Sequence, residues 1–393
     1  MARILYLVHR LPYPPNKGDK VRSYHLLRHL AERHEVLLGT FVDDPEDEQH
    51  VHTLRQWCSD VKAVRLYPRR ARLASLTGLL RGEPLTLAYY RDAEMLAWAR
   101  AQSADAAVVF SSSMAQYAEG LNGRVLVDFV DVDSAKWTDY ADAHRWPMSW
   151  LYRREGRTLL AYERAVAARV HQSFFVTEKE VALFAGLAPE CAQRLRVAGN
   201  GVDTVYFAPD PARRNPYDPG ELPIVFTGAM DYWPNVDAVS WFVADMLPAL
   251  RARWPALRLS IVGRSPTAAV QALAGDGVRV TGTVPDVRPW LQHAVVVVAP
   301  LRLARGVQNK VLEAMAMARP VVAAASCVEA IDAQPGRHLA AASEVADYVA
   351  AVSAWLASPT EAQRVGSQAR DCVVERYGWT ARLAPVDRCL EAA

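Results

Sequence analysis

Between two valine-rich runs stands a glycine, a lysine and a glutamate at the spacing G-x-x-x-K-x-x-E. They are Gly306, Lys310 and Glu313, within Arg305-Gly306-Val307-Gln308-Asn309-Lys310-Val311-Leu312-Glu313. The run Val295 to Leu301 before them reads as a buried parallel strand, and Val321 to Ala325 after them reads as the next. Good helix formers from Val311 to Ala318 predict a helix between the two. A strand, a tight turn at Gly306 and a helix N-terminus near Val307, Gln308 and Asn309 form an anion site, because unpaired N–H groups and the helix dipole converge there. Lys310 adds a full positive charge and Glu313 a carboxylate one turn on. The chemistry that suits this spacing is a phosphate held at Lys310 and ribose hydroxyls held at Glu313. Glu313 also has a purely structural reading, since an acid in the first helical turn stabilises a helix by ~0.3–1 kcal/mol.

Further charged groups follow predicted strands. Arg264 ends the strand Leu257 to Val262, where an always-charged guanidinium suits a diphosphate. Gly228 ends the strand Ile224 to Thr227, and Gly282, Thr283 and Val284 follow Gly277 to Val280. Near the N-terminus, strand Ile4 to Val8 leads into a stiff proline loop carrying Lys17, Gly18 and Asp19, then a helix from about Val21 to Arg33. Gly18 lets backbone approach a ligand closely. Asp131 and Asp133 follow the strand Val125 to Val130, and His144 lies further on. Acids at a strand's carboxyl end lie where open α/β sheets bind ligands. Two carboxylates alone are a weak metal signal, and none is assigned.

The run G-x-x-x-K-x-x-E-A-M-A-x-x-x-P-V-V, from Gly306 to Val322, resembles the nucleotide-sugar site of family 4 retaining glycosyltransferases. A second match is Asn200-Gly201-Val202-Asp203 with Phe207 and Pro209, although Asn-Gly is also an ordinary turn pair. The resemblance covers nearly the whole chain and extends in particular to bacterial sugar transferases of exopolysaccharide and exosortase (PEP-CTERM) systems. It implies an α/β GT-B fold: two doubly wound, Rossmann-like domains facing a cleft, with a terminal helix crossing back to the first. It also implies a donor site in the second domain that includes the Gly282 to Val284 backbone at the nucleobase, with Gly18 in the first domain's glycine loop facing the donor diphosphate. Lys17, Asp19, Asp131, Asp133 and His144 would then lie on the acceptor side. The family's first glutamate is replaced by Arg305, whose guanidinium would favour an acidic donor such as a uronic acid. Relatives carry an arginine and a lysine after the first strand of this domain. Here that segment has Ala229 and Asn235, which leaves Arg264 and Lys310 to carry the phosphate charge.

At 393 residues the chain suits two domains. The expected division is 1–208, a proline-rich linker at 209–223, and 224–377, with a terminal helix at about 378–393. Alternating short apolar strands and helices argue parallel sheets covered on both faces. A net charge of +2 gives no electrostatic case for nucleic acid. No G-x-G-x-x-G occurs, which weakens a nicotinamide or flavin reading, and no cofactor is expected. Five scattered cysteines read as reduced, packed thiols. No apolar run approaches the ~18–20 residues of a membrane span, so the reading is a cytoplasmic protein.

A basic stretch carries Lys62, Arg65, Arg69, Arg70, Arg72 and Arg81, with Leu73, Leu76 and Leu80 on one helical face. The ordinary reading is a solvated face covering the domain's own core. The other is peripheral docking on the inner membrane, where a lipid-linked acceptor waits. Glu155 and Glu163, among arginines on a long helix from Trp150 to Arg169, read as a solvated charged face.

The expected reaction moves a hexosyl unit from a nucleoside-diphosphate sugar to a hydroxyl of a glycan or lipid-linked glycan. Lys310, Arg264 and Asp131 are the catalytic candidates. Two other readings fit the same fold: a nucleotide-sugar epimerase or phosphorylase, and a non-catalytic nucleotide-sugar-binding scaffold.

Overall fold

The computed structural model describes residues 1–15, 18–142, 144–302 and 307–391. They divide into one unit of Met1–Gly199 together with Arg382 onward, and another of Asn200–Ala381.

Among the described residues, the first unit holds seven parallel strands. They are β1 (Arg3–Val8), β2 (Glu35–Val42), β3 (Asp60–Arg65), β4 (Ala106–Phe110), β5 (Arg124–Val130), β6 (Gln172–Phe175) and β7 (Leu195–Val197), in the order β3-β2-β1-β4-β5-β6-β7. Ile4 to Val8 offers water no polar face, so β1 is sealed on both sides and sits centrally, pairing Leu5 with Leu37 and Ala107. The order turns between β1 and β4, so the loops that follow these strands part and leave a crevice at their carboxyl ends.

The second unit repeats the plan with β8 (Leu222–Thr227), β9 (Leu257–Val262), β10 (Val278–Gly282), β11 (Val296–Ala299), β12 (Val321–Ala324) and β13 (Ala340–Ala342). Their order, β10-β9-β8-β11-β12-β13, turns between β8 and β11. Gly228 follows β8, and the helix Asn309–Ala316 that carries Lys310 follows β11.

The proline-rich stretch 209–223 packs on the second unit. Tyr217 is buried and its hydroxyl donates to the Trp290 carbonyl at 2.6 Å. The helix Trp379–Glu391 begins in the second unit and continues into the first. All five cysteines are free thiols.

Two readings of the sequence need correcting. Glu155 and Glu163, on the helix Met148–Arg169, are buried rather than solvated. Glu155 accepts from the Leu85 and Thr86 amides at 2.7 and 2.9 Å, and Glu163 accepts from the Ser134 hydroxyl at 2.5 Å. Their hydrogen-bond partners replace water, which a charged helix face seen in isolation does not reveal. The basic stretch is also not a single helix facing a core. Lys62 and Arg65 lie on β3, the helix breaks into Pro68–Ser75 and Thr77–Arg81, and Leu73, Leu76 and Leu80 are exposed.

Candidate functional site

The candidate donor site is built where three strands of the second unit end in glycines that take positive φ: Gly228 after β8 (+155°), Gly263 after β9 (+156°) and Gly282 at the end of β10 (+67°). The loops lie on one another. The Gly228 amide donates to the Val262 carbonyl at 3.0 Å, and the Met230 amide to the Arg264 carbonyl at 2.8 Å. A Cβ added to Gly263 would fall on the Gly228 carbonyl oxygen. One on Gly228 would stand 2.8 Å from Asn235 Nδ2 and 2.9 Å from Lys310 Nζ. Glycine at these places is what lets the loops close over the sheet edge.

Asn235 sits in the first turn of the helix Trp233–Trp241, which Pro234 opens. Its Nδ2 donates to the Ala229 carbonyl at 2.8 Å, which turns Oδ1 toward Lys310. Lys310 Nζ donates to that Oδ1 at 2.5 Å and lies 4.1 Å from the centre of the Phe226 ring. Burial of the ammonium pushes the Lys310 pKa down to about 7, with Glu313 pulling the other way. Burial likewise pushes the Glu313 carboxyl up to about 7, opposed by Lys310.

The helix runs Asn309–Ala316 with Gln308 as its N-cap, so Glu313 is in the second turn rather than the first. This removes the helix-dipole reading, because that effect fades within one turn. Among the described residues, no hydrogen-bond donor reaches the Glu313 carboxylate. Arg264 is exposed, and its guanidinium has no hydrogen bond or ion pair among the described residues. Val307 and Val284 pack against the core, while Thr283 is exposed. Arg305 and Gly306 lie outside the described residues.

Sequence reasoning missed the Asn235 contact, the Phe226 ring under Lys310, and Tyr206, over whose ring the Arg288 guanidinium stands at 3.9 Å. The signal for Asn235 was present as Trp233-Pro234-Asn235, a helix start that follows β8, the strand beside β11 in the sheet.

On the first unit, Asp19 accepts from Arg10 at 2.7 Å and lies 3.6 Å from His9 Nε2. Burial would raise its pKa, but the neighbouring His9 imidazole and the Arg10 charge hold it well below the carboxylate range. His9 stacks on Phe110 at 5.7 Å, between the ends of β1 and β4, and was not a sequence candidate. Its Nδ1 is buried without a partner among the described residues. Asp131 and Asp133 are drawn together by Lys136, at 2.8 and 3.1 Å. Burial works against the Lys136 charge, yet the two carboxylates hold its proton above the ordinary lysine value. His144 does not join them; it is exposed, bonds the Tyr140 carbonyl at 2.7 Å and meets the Tyr152 ring edge-on. Gly18 opens the helix Gly18–Ala31, exposed and with nothing within 4 Å of an added Cβ. Lys17 lies outside the described residues. Ser111 and Val130, which follow β4 and end β5, take φ of 79° and 70°, strained for non-glycine residues.

Residues 221–358 match the family model described as "Glycosyl transferases group 1", a span that contains all the donor-side candidates except Gly18. A search of curated proteins found no match. Among solved structures, Anabaena HepE in complex with UDP superposes with a TM-score of 0.71 at 15% identity, over 100% of both chains. Sucrose-phosphate synthase from Thermosynechococcus elongatus gives 0.69 at 18% identity, over 99% of this chain and 98% of that one. WaaG, described as a glycosyltransferase involved in lipopolysaccharide biosynthesis, gives 0.63 at 15% identity, over 98% and 99%. The chain has the GT-B fold, and residues 221–358 within it are similar to the glycosyl transferases group 1 model.

Proposed function

We propose that the protein transfers a hexosyl unit from a nucleoside-diphosphate sugar to an acceptor hydroxyl, with retention at the anomeric carbon, in the assembly of a bacterial exopolysaccharide or related glycan. The observation that carries the reading is the pair Lys310 and Glu313 at the turn of strand order. There an enclosed ammonium and a carboxylate without a donor share one helix. Lys310, Arg264 and the helix N-terminus meet the diphosphate, and Glu313 accepts from the ribose hydroxyls. HepE's complex with UDP makes a uridine nucleotide the first donor to test.

The difficult step is departure of the diphosphate as the sugar gains oxocarbenium character. As the C1–O bond to phosphate breaks, negative charge grows where Lys310 and Arg264 stand. Removing one such contact costs about 3–4 kcal/mol, or ~10²–10³ in rate. The acceptor oxygen bonds C1 on the face the phosphate leaves, and the leaving phosphate oxygen takes the acceptor proton. Asp131 and Asp133 then orient the acceptor rather than act as a base, since Lys136 already holds both.

A thermal-shift screen against UDP, GDP, ADP, TDP and their sugars tests the reading. Saturation at about 100 times the dissociation constant adds ~2.7 kcal/mol to stability. The expected result is a shift with one base, lost in Lys310→Ala; no shift with any nucleotide overturns it. Arg305, in place of the family's first glutamate, favours one alternative, a binding scaffold. Nucleotide binding without turnover across a broad acceptor panel would select that reading.

A further inference from the structure

We propose that the first unit carries a bilayer-docking surface for anionic phospholipid, assembled from two segments distant in sequence. One is the helix pair Pro68–Ser75 and Thr77–Arg81; the other is the start of the helix Met148–Arg169 with Trp146 before it. The inference does not depend on the donor-site reading.

The apolar side chains face outward. Leu80 is 92% exposed, Trp146 80% and Leu73 70%, with Leu76 and Trp150 about half exposed. A core-facing amphipathic helix would hide them. The two segments are fastened together. Arg154 donates to the Gly78 carbonyl at 2.8 Å and the Glu83 carbonyl at 3.1 Å. Trp150 lies one turn before Arg154, on the helix face that Arg154 fastens to Gly78 and Glu83.

The charge names the partner. Residues 65–81 hold five arginines and no acidic residue, in a chain whose net charge is only +2. Arg69, Arg70, Arg72 and Arg81 are exposed, and none has an ion pair among the described residues. Leucine and tryptophan ringed by arginine match the boundary between headgroups and acyl chains of an anionic bilayer. A second copy of the same face would instead set arginines against arginines.

The test is co-sedimentation of the full chain with vesicles of phosphatidylethanolamine and phosphatidylglycerol, against phosphatidylcholine alone, at low and high salt. Binding is expected on the anionic vesicles and falls as salt rises. Arg69→Gln with Arg70→Gln should lower partitioning by about fivefold per charge. Leu80→Glu and Trp146→Ser should each lower it about tenfold with an unchanged melting temperature, because both side chains are exposed. No binding to anionic vesicles at low salt overturns the proposal. So does a loss in Leu80→Glu that Trp146→Ser does not share, since the two segments would not then act as one surface. A concentration-dependent dimer that Leu80→Glu dissolves would assign the face to a second copy and also overturn it.

Discussion

The Lys310 ammonium is held by the side-chain oxygen of Asn235 at 2.5 Å, and Asn235 is itself fixed by the Ala229 carbonyl. Two segments 75 residues apart thus set one charge at the mouth of the second sheet. Removing the amide takes away a charge-assisted hydrogen bond worth about 1.5–3 kcal/mol. Asn235→Ala should therefore weaken nucleoside-diphosphate binding by at least ~10-fold at pH 7.5 with the fold intact. Titration calorimetry reads this directly, and unchanged affinity would free Lys310 from its dependence on Asn235.

Burial pushes the Lys310 pKa down to about 7, so without a bound anion it carries its proton below that pH and loses it above. A dianionic diphosphate favours the charged form, so binding above pH 7 must draw a proton from solution. Affinity then falls as pH rises from 7 to 9. Calorimetry at pH 7.5 in two buffers of different ionisation enthalpy should show net proton uptake in wild type. That uptake is lost in Lys310→Arg, whose guanidinium does not titrate, which leaves only the proton that Glu313 releases. Glu313 moves in the opposite sense as it ionises, so Glu313→Gln should steepen the fall.

Glu163 gives a stability effect far from the donor site. Burial raises its carboxyl from 4.5 to about 8. Between those values the folded chain keeps a proton that the unfolded chain has released, so the contribution of Glu163 to stability is fully present below pH 4.5 and is lost as pH rises toward 8. The slope is about 1.4 kcal/mol per pH unit. Glu163→Gln keeps the shape and removes the titration. Urea unfolding at pH 5.5 and 7.5 should show the variant gaining on wild type at the higher pH; parallel curves would mean that Glu163 stays ionised in the folded protein.

What the sequence made legible were the elements with their own local signature. Val296 to Ala299 and Ile4 to Val8 read as sealed strands because no polar residue interrupts them. The turn glycines stood out because each ends such a run. Glu163 was misread because its partner, Ser134, is 29 residues away and no helical periodicity reports it. The helix pair at 68–81 has apolar spacing that fits an inward face equally well. Only the placement of its neighbours shows that Leu73 and Leu80 are left in water. Asn235 was hidden for the same reason, since its role exists only where β8 and β11 are adjacent.

Two glycines separate architecture from ligand approach. An alanine at Gly263 drives its methyl onto the Gly228 carbonyl, so Gly263→Ala should cost at least ~2 kcal/mol and reduce nucleotide binding. An alanine at Gly18 meets nothing within 4 Å. Gly18→Ala should leave the melting temperature unchanged or slightly raised while turnover falls, if the bare backbone serves a substrate. Turnover equal to wild type would return Gly18 to the loop alone.

Asp387, near the far end of the chain, meets the buried His29 at 2.8 Å and Arg33 at 2.6 Å, within the first unit. During synthesis the first unit emerges from the ribosome lacking this carboxylate and the helix that bears it. The second unit is continuous from Asn200 to Ala381 and has all its strands before Asp387 is made. Order of translation and order of completion are therefore reversed. The earliest-made sheet waits for the Asp387 contact until the whole of the second unit has been made.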